Sequence, residues 1–187
     1  MARLPALEPE TMTPEQKDIY NDIINGPRKS VPAPLTVWLR RPELARHAQA
    51  LGSYARYGTC LSPRLSELAI MLMGRYWNAE YEWQSHKPLA LAAGLPENAL
   101  NSIRDGNTPE FTEKDEDLVY RFVRQLHADR CVDNDLYAEA VSLLGEDGVV
   151  DLVGIFGYYS LISATIQVFE LSKTYCTGKP ELSSSAP

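Results

Sequence analysis

The chain has 187 residues, of which 44% are hydrophobic and 23% are charged, a composition typical of an ordinary globular protein. Its formal net charge of −7 argues against a nucleic-acid-binding protein, which usually carries a basic face, and it means that an anionic ligand needs a local cluster of arginine or lysine. The three cysteines, Cys60, Cys131 and Cys176, are odd in number and form no CxxC pair, which excludes a fully paired disulfide framework and a thioredoxin-type redox motif.

Cap, proline and glycine signals predict helices along almost the whole chain, and we find no convincing alternating segment bounded by hairpin turns. The predicted helices, in chain order, cover residues 14–25, 42–57, 63–77, 79–93, 96–105, 113–129, 134–144 and 147–174. The N-caps expected for five of them are Thr13, Ser62, Asn78, Thr112 and Asp133. The sequence therefore predicts an all-α, single-domain bundle of about seven or eight helices.

The chain divides into three predicted parts. An N-terminal helix and extension occupy 1–31, and a proline-rich connector at 27–34 leads into a helical domain at 32–174. The polar segment 175–187 is expected to be a disordered tail.

One segment, 152–169, is long and uncharged enough to need a membrane test. Polar side chains interrupt it, and Asp151 and Glu170 flank it, so we expect a buried core or subunit-interface helix and no membrane partner. The first residues lack the apolar run of a secretory signal, and the three thiols are best explained as reduced. Both observations favour a cytoplasmic protein.

The stretch NAEYEWQSH at 78–86 places two ionisable side chains on the apolar face of its helix. At about 100° per residue, one arc holds Ala79, Glu82, Trp83, His86, Leu89, Ala90 and Ala93. A second arc, expected to face solvent, holds Glu80, Gln84 and Lys87. Because Glu82 and His86 are four residues apart, their side chains can hydrogen-bond along the helix.

This Glu–His pair has three interpretations. It is a structural ion pair at a helix edge, or it is an acid–base pair in which the carboxylate raises the basicity of the imidazole. A metal site that adds Glu67 ranks last, because no HExxH, paired ExxH or Cys/His spacing supports it. For an anionic ligand, Arg75 is the nearest candidate cation, and Arg64 and Arg56 are others.

The run ELAIMLMGRYWNAEYEWQSHKPLALAAGL at 67–95 resembles the carboxymuconolactone decarboxylase family, which belongs to the AhpD-like alkylhydroperoxidase superfamily. Segments at 41–52, 115–126 and 144–162 extend the resemblance to roughly residues 32–171. The resemblance implies an AhpD-like helical bundle at 32–174 that forms a homo-oligomer, a trimer or a hexamer, with its site near a subunit interface.

The peroxidase branch of that superfamily carries a Cys-x-x-Cys-x-x-x-His pattern preceded by a glutamate. On this chain the glutamate matches Glu67, the two cysteines fall on Ala79 and Glu82, and the histidine is His86. Both redox cysteines are therefore absent, and the usual thiol peroxidase chemistry cannot proceed. What remains resembles the decarboxylase-like branch.

The resemblance implies a cofactor-independent and metal-free carboxy-lyase of aromatic-compound catabolism. Its substrate would be a small carboxylated lactone, such as 4-carboxymuconolactone, or a related oxo-acid. His86 would be the general acid/base, Glu82 would orient it, and Glu67 would be a second carboxylate of the site. The residues expected to contact the substrate are Arg75, Trp83 and Tyr158.

Two alternatives stay open. One is a non-catalytic protein of the same scaffold that binds a small ligand or serves in assembly. The other is a thiol-dependent antioxidant that uses Cys60, Cys131 or Cys176, although none of the three lies on the helix of His86.

Overall fold

The computed structural model describes residues 3–4 and 7–182, and within these ranges the chain is all-α and contains no β-strand. A 3₁₀ turn at Pro9–Thr11 precedes the helices α1 (Pro14–Asn25), α2 (Ala33–Trp38), α3 (Pro42–Tyr57), α4 (Pro63–Tyr76), α5 (Glu80–Ala92), α6 (Glu97–Arg104), α7 (Lys114–Asp129), α8 (Asn134–Phe169) and α9 (Ser172–Tyr175). The prediction of an all-α fold is confirmed.

Three of the five predicted N-caps accept the expected backbone hydrogen bond. The side chains of Thr13, Ser62 and Asp133 each bond a backbone N–H of the first helical turn, as short polar caps do. The predictions for Asn78 and Thr112 were wrong, because Ala79 and Glu113 are the capping residues. Asn78 instead takes a left-handed conformation with φ of 51° and donates its N–H to the carbonyl of Arg75, which closes the turn after α4.

The structure adds one helix that was not predicted and ends the last long helix earlier. The proline-rich connector contains α2, where Pro34 lies in the first turn and its missing N–H costs nothing. The helix predicted to continue to residue 174 ends at Phe169, because Glu170 adopts a left-handed backbone with φ of 54°. Gly145 interrupts α8 with φ of 73° and ψ of 167°, so the predicted break at this glycine is present as a kink.

Helix α4 is the centre of the core and packs against α5, α7 and α8. Its side chains from Leu68 to Met73 are at most 1% exposed, as expected for a helix that is apolar on all sides. Each such buried aliphatic side chain contributes roughly 1.5–3 kcal/mol of transfer free energy. Ile19 and Ile23 of α1 join the same core, since α1 packs on α3. The packing of α4 on α5 places the charged residue Glu67 of α4 against His86 of α5.

Helix α8 is the one helix in the described part of the chain that is long and apolar enough to cross a membrane. In this structure 56% of its most apolar window is buried inside the protein, which is also what a core helix shows. The carboxylate of Asp151 is buried and accepts hydrogen bonds from Tyr54 Oη at 2.6 Å and from the Cys60 backbone N–H at 2.7 Å. These bonds connect α8 to α3 and to the turn between α3 and α4.

Part of the segment predicted to be a disordered tail packs along α5. Glu80, expected on a solvated face, is only 6% exposed, and its carboxylate accepts the backbone N–H groups of Glu181 and Leu182 at 2.8 and 2.9 Å. Leu182 is 7% exposed and joins the core, while Trp83 Nε1 and Lys87 Nζ donate to the Glu181 carboxylate. The remainder of the predicted tail, 183–187, lies outside the described residues.

Candidate active site

Glu67, Glu82 and His86 form a hydrogen-bonded chain between α4 and α5. Nδ1 of His86 lies 2.7 Å from Oε2 of Glu67, and Nε2 lies 2.9 Å from Oε1 of Glu82. The side chains of His86 and Glu82 are each 6% exposed, and that of Glu67 is 12% exposed. The i,i+4 spacing aligns Glu82 with His86 along α5, and the packing of α4 on α5 adds Glu67 from the other side.

The imidazole of His86 is held in its protonated form. Burial disfavours the charged ring, but attraction to Glu82 and hydrogen bonds to Glu67 and Glu82 outweigh that effect and raise the pKa of His86 to about 9. At neutral pH the ring therefore carries a proton on each nitrogen and donates one hydrogen bond to each carboxylate.

Two tyrosines of α8, Tyr158 and Tyr159, form an aromatic wall beside the hydrogen-bonded residues Glu67, His86 and Glu82. The rings of Tyr159 and His86 pack edge to face with their centroids 5.4 Å apart. The rings of Tyr158 and Tyr159 pack in the same way with their centroids 5.2 Å apart. Burial raises the pKa of Tyr158 to about 12 and that of Tyr159 well above 10, so both phenols stay neutral. The Tyr158 hydroxyl accepts a hydrogen bond from Arg28 Nη2 at 3.3 Å.

A cavity of about 100 Å³ opens beside Glu82 and His86. Its lining residues are Arg28, Pro32, Pro34, Leu35, Arg56, Tyr81, Glu82, Ser85, His86, Leu89, Tyr158, Tyr159 and Ile162. Nε of Arg28 is buried and has no hydrogen-bond partner in the part of the chain that the structure describes. The cavity thus combines the hydrogen-bonded Glu82–His86 pair with two guanidinium groups, and guanidinium groups suit a small anion.

The structure brings together only some of the residues that the sequence singled out. Tyr158 and Arg56 line the cavity together with Glu82 and His86, whereas Trp83 and Arg75 do not. Trp83 points its Nε1 to Glu181 of the tail at 3.3 Å.

The other two candidate cations also lie elsewhere. Nε of Arg75 donates to the Arg104 carbonyl at 2.8 Å, and Arg75 lines a different cavity. Arg64 is paired with Asp115 and Glu116 of α7. Both positions are unsuited to hold a ligand beside His86.

Sequence reasoning missed Arg28, the cation that donates a hydrogen bond to Tyr158. It lies between α1 and α2, and 130 residues separate it from Tyr158. No local pattern connects the two, because their contact depends on how α1, α3 and α8 pack. The single usable signal was Gly52 inside the helical segment 42–57, since an interior glycine lowers helix stability and can mark a close approach.

The cysteines are placed unfavourably for thiol catalysis at this site, since none of them lines the cavity. A hydrogen bond to Asp151 raises the pKa of Cys60, and burial raises the pKa of Cys176. A raised pKa lowers the fraction of reactive thiolate at neutral pH. Among the described residues, no group of three histidine, cysteine or acidic side chains has the geometry of a metal site.

Replacing Gly52 with alanine is expected to destabilise the protein by about 1–3 kcal/mol through overpacking. A Cβ at this position would lie 2.0 Å from Tyr158 Oη and 2.6 Å from Arg28 Nη2, so the cavity wall would have to move. The measurement is urea unfolding followed by circular dichroism. Ser53→Ala, on the next residue of α3, is the matched control and should change stability by less than about 0.5 kcal/mol. Equal stability of the two variants would contradict the packing of Tyr158 on α3.

Comparison of the chain with models of known protein families and with curated proteins gives no match in either case. The resemblance to the carboxymuconolactone decarboxylase family therefore stays a prediction.

Proposed function

We propose that this protein is a cofactor-independent acid–base enzyme that acts on a small carboxylated compound. The reaction that fits best is decarboxylation of a lactone or related oxo-acid, similar to that of 4-carboxymuconolactone. One observation supports it most: the buried chain of Glu67, His86 and Glu82 ends at a cavity whose lining also carries two arginines.

The two arginines account for substrate binding. A protein with a net charge of −7 repels small acids unless cations are concentrated locally, and Arg28 and Arg56 supply that concentration. A guanidinium binds a carboxylate through two parallel hydrogen bonds, which fixes its orientation. The cavity volume of about 100 Å³ equals roughly three water molecules and accommodates a carboxylate with its adjacent carbon atoms.

Glu82 is the residue that exchanges the proton with the substrate in this proposal. Both nitrogens of His86 are already engaged by carboxylates, whereas Glu82 also lines the cavity. The imidazolium of His86 supplies that proton through Nε2 and takes a proton back from water after each turnover, while Glu67 holds the imidazole in place. This assignment exchanges the roles that the sequence suggested for Glu82 and His86, because the sequence alone did not place Glu67 on the second nitrogen.

The chemical step needs no external electron acceptor. The bond between the carboxylate carbon and its neighbour breaks, CO₂ leaves, and the electron pair moves into the adjacent unsaturated carbonyl as an enolate. The neutral phenol of Tyr158 can donate a hydrogen bond to that enolate oxygen, and such preorganised donors contribute much of an enzyme's acceleration. The proton on Nε2 of His86 passes to Glu82, and Glu82 delivers it to the carbon, so that a neutral imidazole and the Glu82 carboxylate remain.

Deuterium incorporation tests this function. The protein is incubated in D₂O with 4-carboxymuconolactone and a panel of small unsaturated oxo-acids, and the products are analysed by NMR. We expect loss of CO₂ and one deuterium at the carbon that carried it, with the same result when all three cysteines are replaced by serine. Binding of a panel acid without any product would favour the non-catalytic alternative, and turnover lost with the cysteines would favour the thiol-dependent one.

The predicted homo-oligomer is part of the same proposal. Val150, Val153, Leu161 and Val168 are exposed at 70%, 47%, 40% and 54% and follow one stripe of α8. Such an apolar helix face is typical of a surface that a protein partner covers.

A further inference from the structure

A second cavity is separate from the one beside His86. It is bounded by α4, by the end of α6 with the loop that follows it, and by α7. Its volume is about 290 Å³, close to the lower end for small-molecule sites. Its lining residues are Leu72, Arg75, Tyr76, Ile103, Gly106, Asn107, Thr108, Tyr120 and Arg124. The two cavities share no lining residue, although both are bordered by helices that pack on α4.

The charge of this cavity is positive. Arg75 is 2% exposed and Arg124 lies at the exposed mouth, while the lining contains no aspartate or glutamate. The carboxylate of Asp105 lies outside this lining; it attracts Arg75 and is bonded by Arg104, whose Nε and Nη2 donate to its two oxygens at 2.8 and 3.0 Å. The hydrogen bond from Arg75 Nε to the Arg104 carbonyl fixes the direction of the buried guanidinium.

The cavity also offers a neutral donor and apolar walls. The Tyr76 hydroxyl is buried and has no hydrogen-bond partner among the residues that the structure describes. A buried polar atom without a partner is costly, so a ligand that bonds it is favoured. Leu72 and Ile103 are buried side chains of the wall, and the Tyr120 ring completes it.

We propose that this cavity is a second binding site, specific for a small carboxylate with an apolar or aromatic body. The carboxylate bonds Arg75, Arg124 and the Tyr76 hydroxyl, and the body of the ligand packs between Tyr120 and the aliphatic side chains. Arg75 thus binds an acid, as the sequence suggested, but at a site remote from His86. The site does not depend on the proposed catalytic function.

Benzoate is a suitable probe, since it has one carboxylate and one aromatic ring. Binding to the full chain is measured by isothermal titration calorimetry and by amide chemical shifts. We expect Arg124→Ala to weaken binding about tenfold or more, because it removes a charge-assisted hydrogen bond, and Tyr76→Phe to weaken it several-fold. Arg46→Ala removes an exposed arginine that lines neither cavity and should leave the affinity unchanged.

Arg28→Ala distinguishes the two cavities. If benzoate occupies the proposed site, this variant retains the wild-type affinity and the amides around Tyr76 shift on binding. Loss of binding in Arg28→Ala, with Arg124→Ala and Tyr76→Phe unaffected, would place the ligand beside His86 and overturn the proposal. Absence of binding at about 10 mM benzoate, a concentration that detects even millimolar affinity, would overturn it as well.

Discussion

Replacing Glu82 with glutamine is expected to lower kcat about 10²–10⁴-fold, because the amide keeps the shape of the side chain but cannot carry the transferred proton. Glu82 lines the cavity, and its Oε1 lies 2.9 Å from Nε2 of His86. Arg28 and Arg56 remain available to the substrate, so KM should change less than kcat. The measurement is steady-state turnover of the acid that the deuterium assay identifies.

Glu116→Gln is the matched control for that variant. Glu116 is likewise buried and paired with a cation, Arg64, but neither residue lines the cavity. Both substitutions should cost stability, since each removes a partner from a buried ion pair. Only Glu82→Gln should lose turnover. Equal turnover in the two variants would show that Glu82 forms a purely structural pair.

The double variant Glu82→Gln/His86→Gln tests whether the two residues act as one unit. Residues of a relay are not additive, so we expect the double variant to be within about tenfold of the slower single variant. Losses that multiply would contradict a relay between them. The 2.9 Å contact between the two side chains is the reason to expect the first result.

Replacing Glu67 with glutamine is expected to lower the pKa of His86, which is about 9 in the native protein. The variant removes one of the two carboxylates that outweigh the effect of burial, and an opposite charge at this range typically accounts for about 1–3 pH units. The measurement is an NMR titration of the ring resonances. His127 serves as the internal control. Burial lowers its pKa, it does not line the cavity, and it does not belong to the hydrogen-bonded group of Glu67, His86 and Glu82.

The free energy of unfolding should depend on the protonation of His86. The pKa of His86 is about 9 in the folded protein and near 6.5 when unfolded, so its contribution is fully present below pH 6.5 and is lost as the pH rises through 9. The corresponding free energy is on the order of 3 kcal/mol. Urea unfolding between pH 6 and pH 9.5 should show this fall in the native chain and a flatter curve in Glu67→Gln. Parallel curves would mean that Glu67 does not hold the proton on His86.

The helices could largely be predicted because their signals are local. Thr13, Ser62 and Asp133 cap their helices through bonds to residues three positions along the chain, and such spacing is visible in the sequence. The predicted cap at Asn78 was wrong because a contact from elsewhere in the fold also acts on this residue. Its left-handed backbone closes the turn after α4, and Gln167 of α8, which is distant in the sequence, donates to its carbonyl.

The same distinction applies to the site. The sequence by itself determined the Glu82–His86 pair, because the i,i+4 spacing of a helix fixes that contact, and the resemblance brought in Glu67. Only the tertiary structure decided that Arg28 and Arg56 face the pair, that Arg75 belongs to another cavity, and that Glu80 binds the tail. Helix periodicity states which face of a helix is buried, whereas the neighbour of that face depends on the packing of helices distant in the chain.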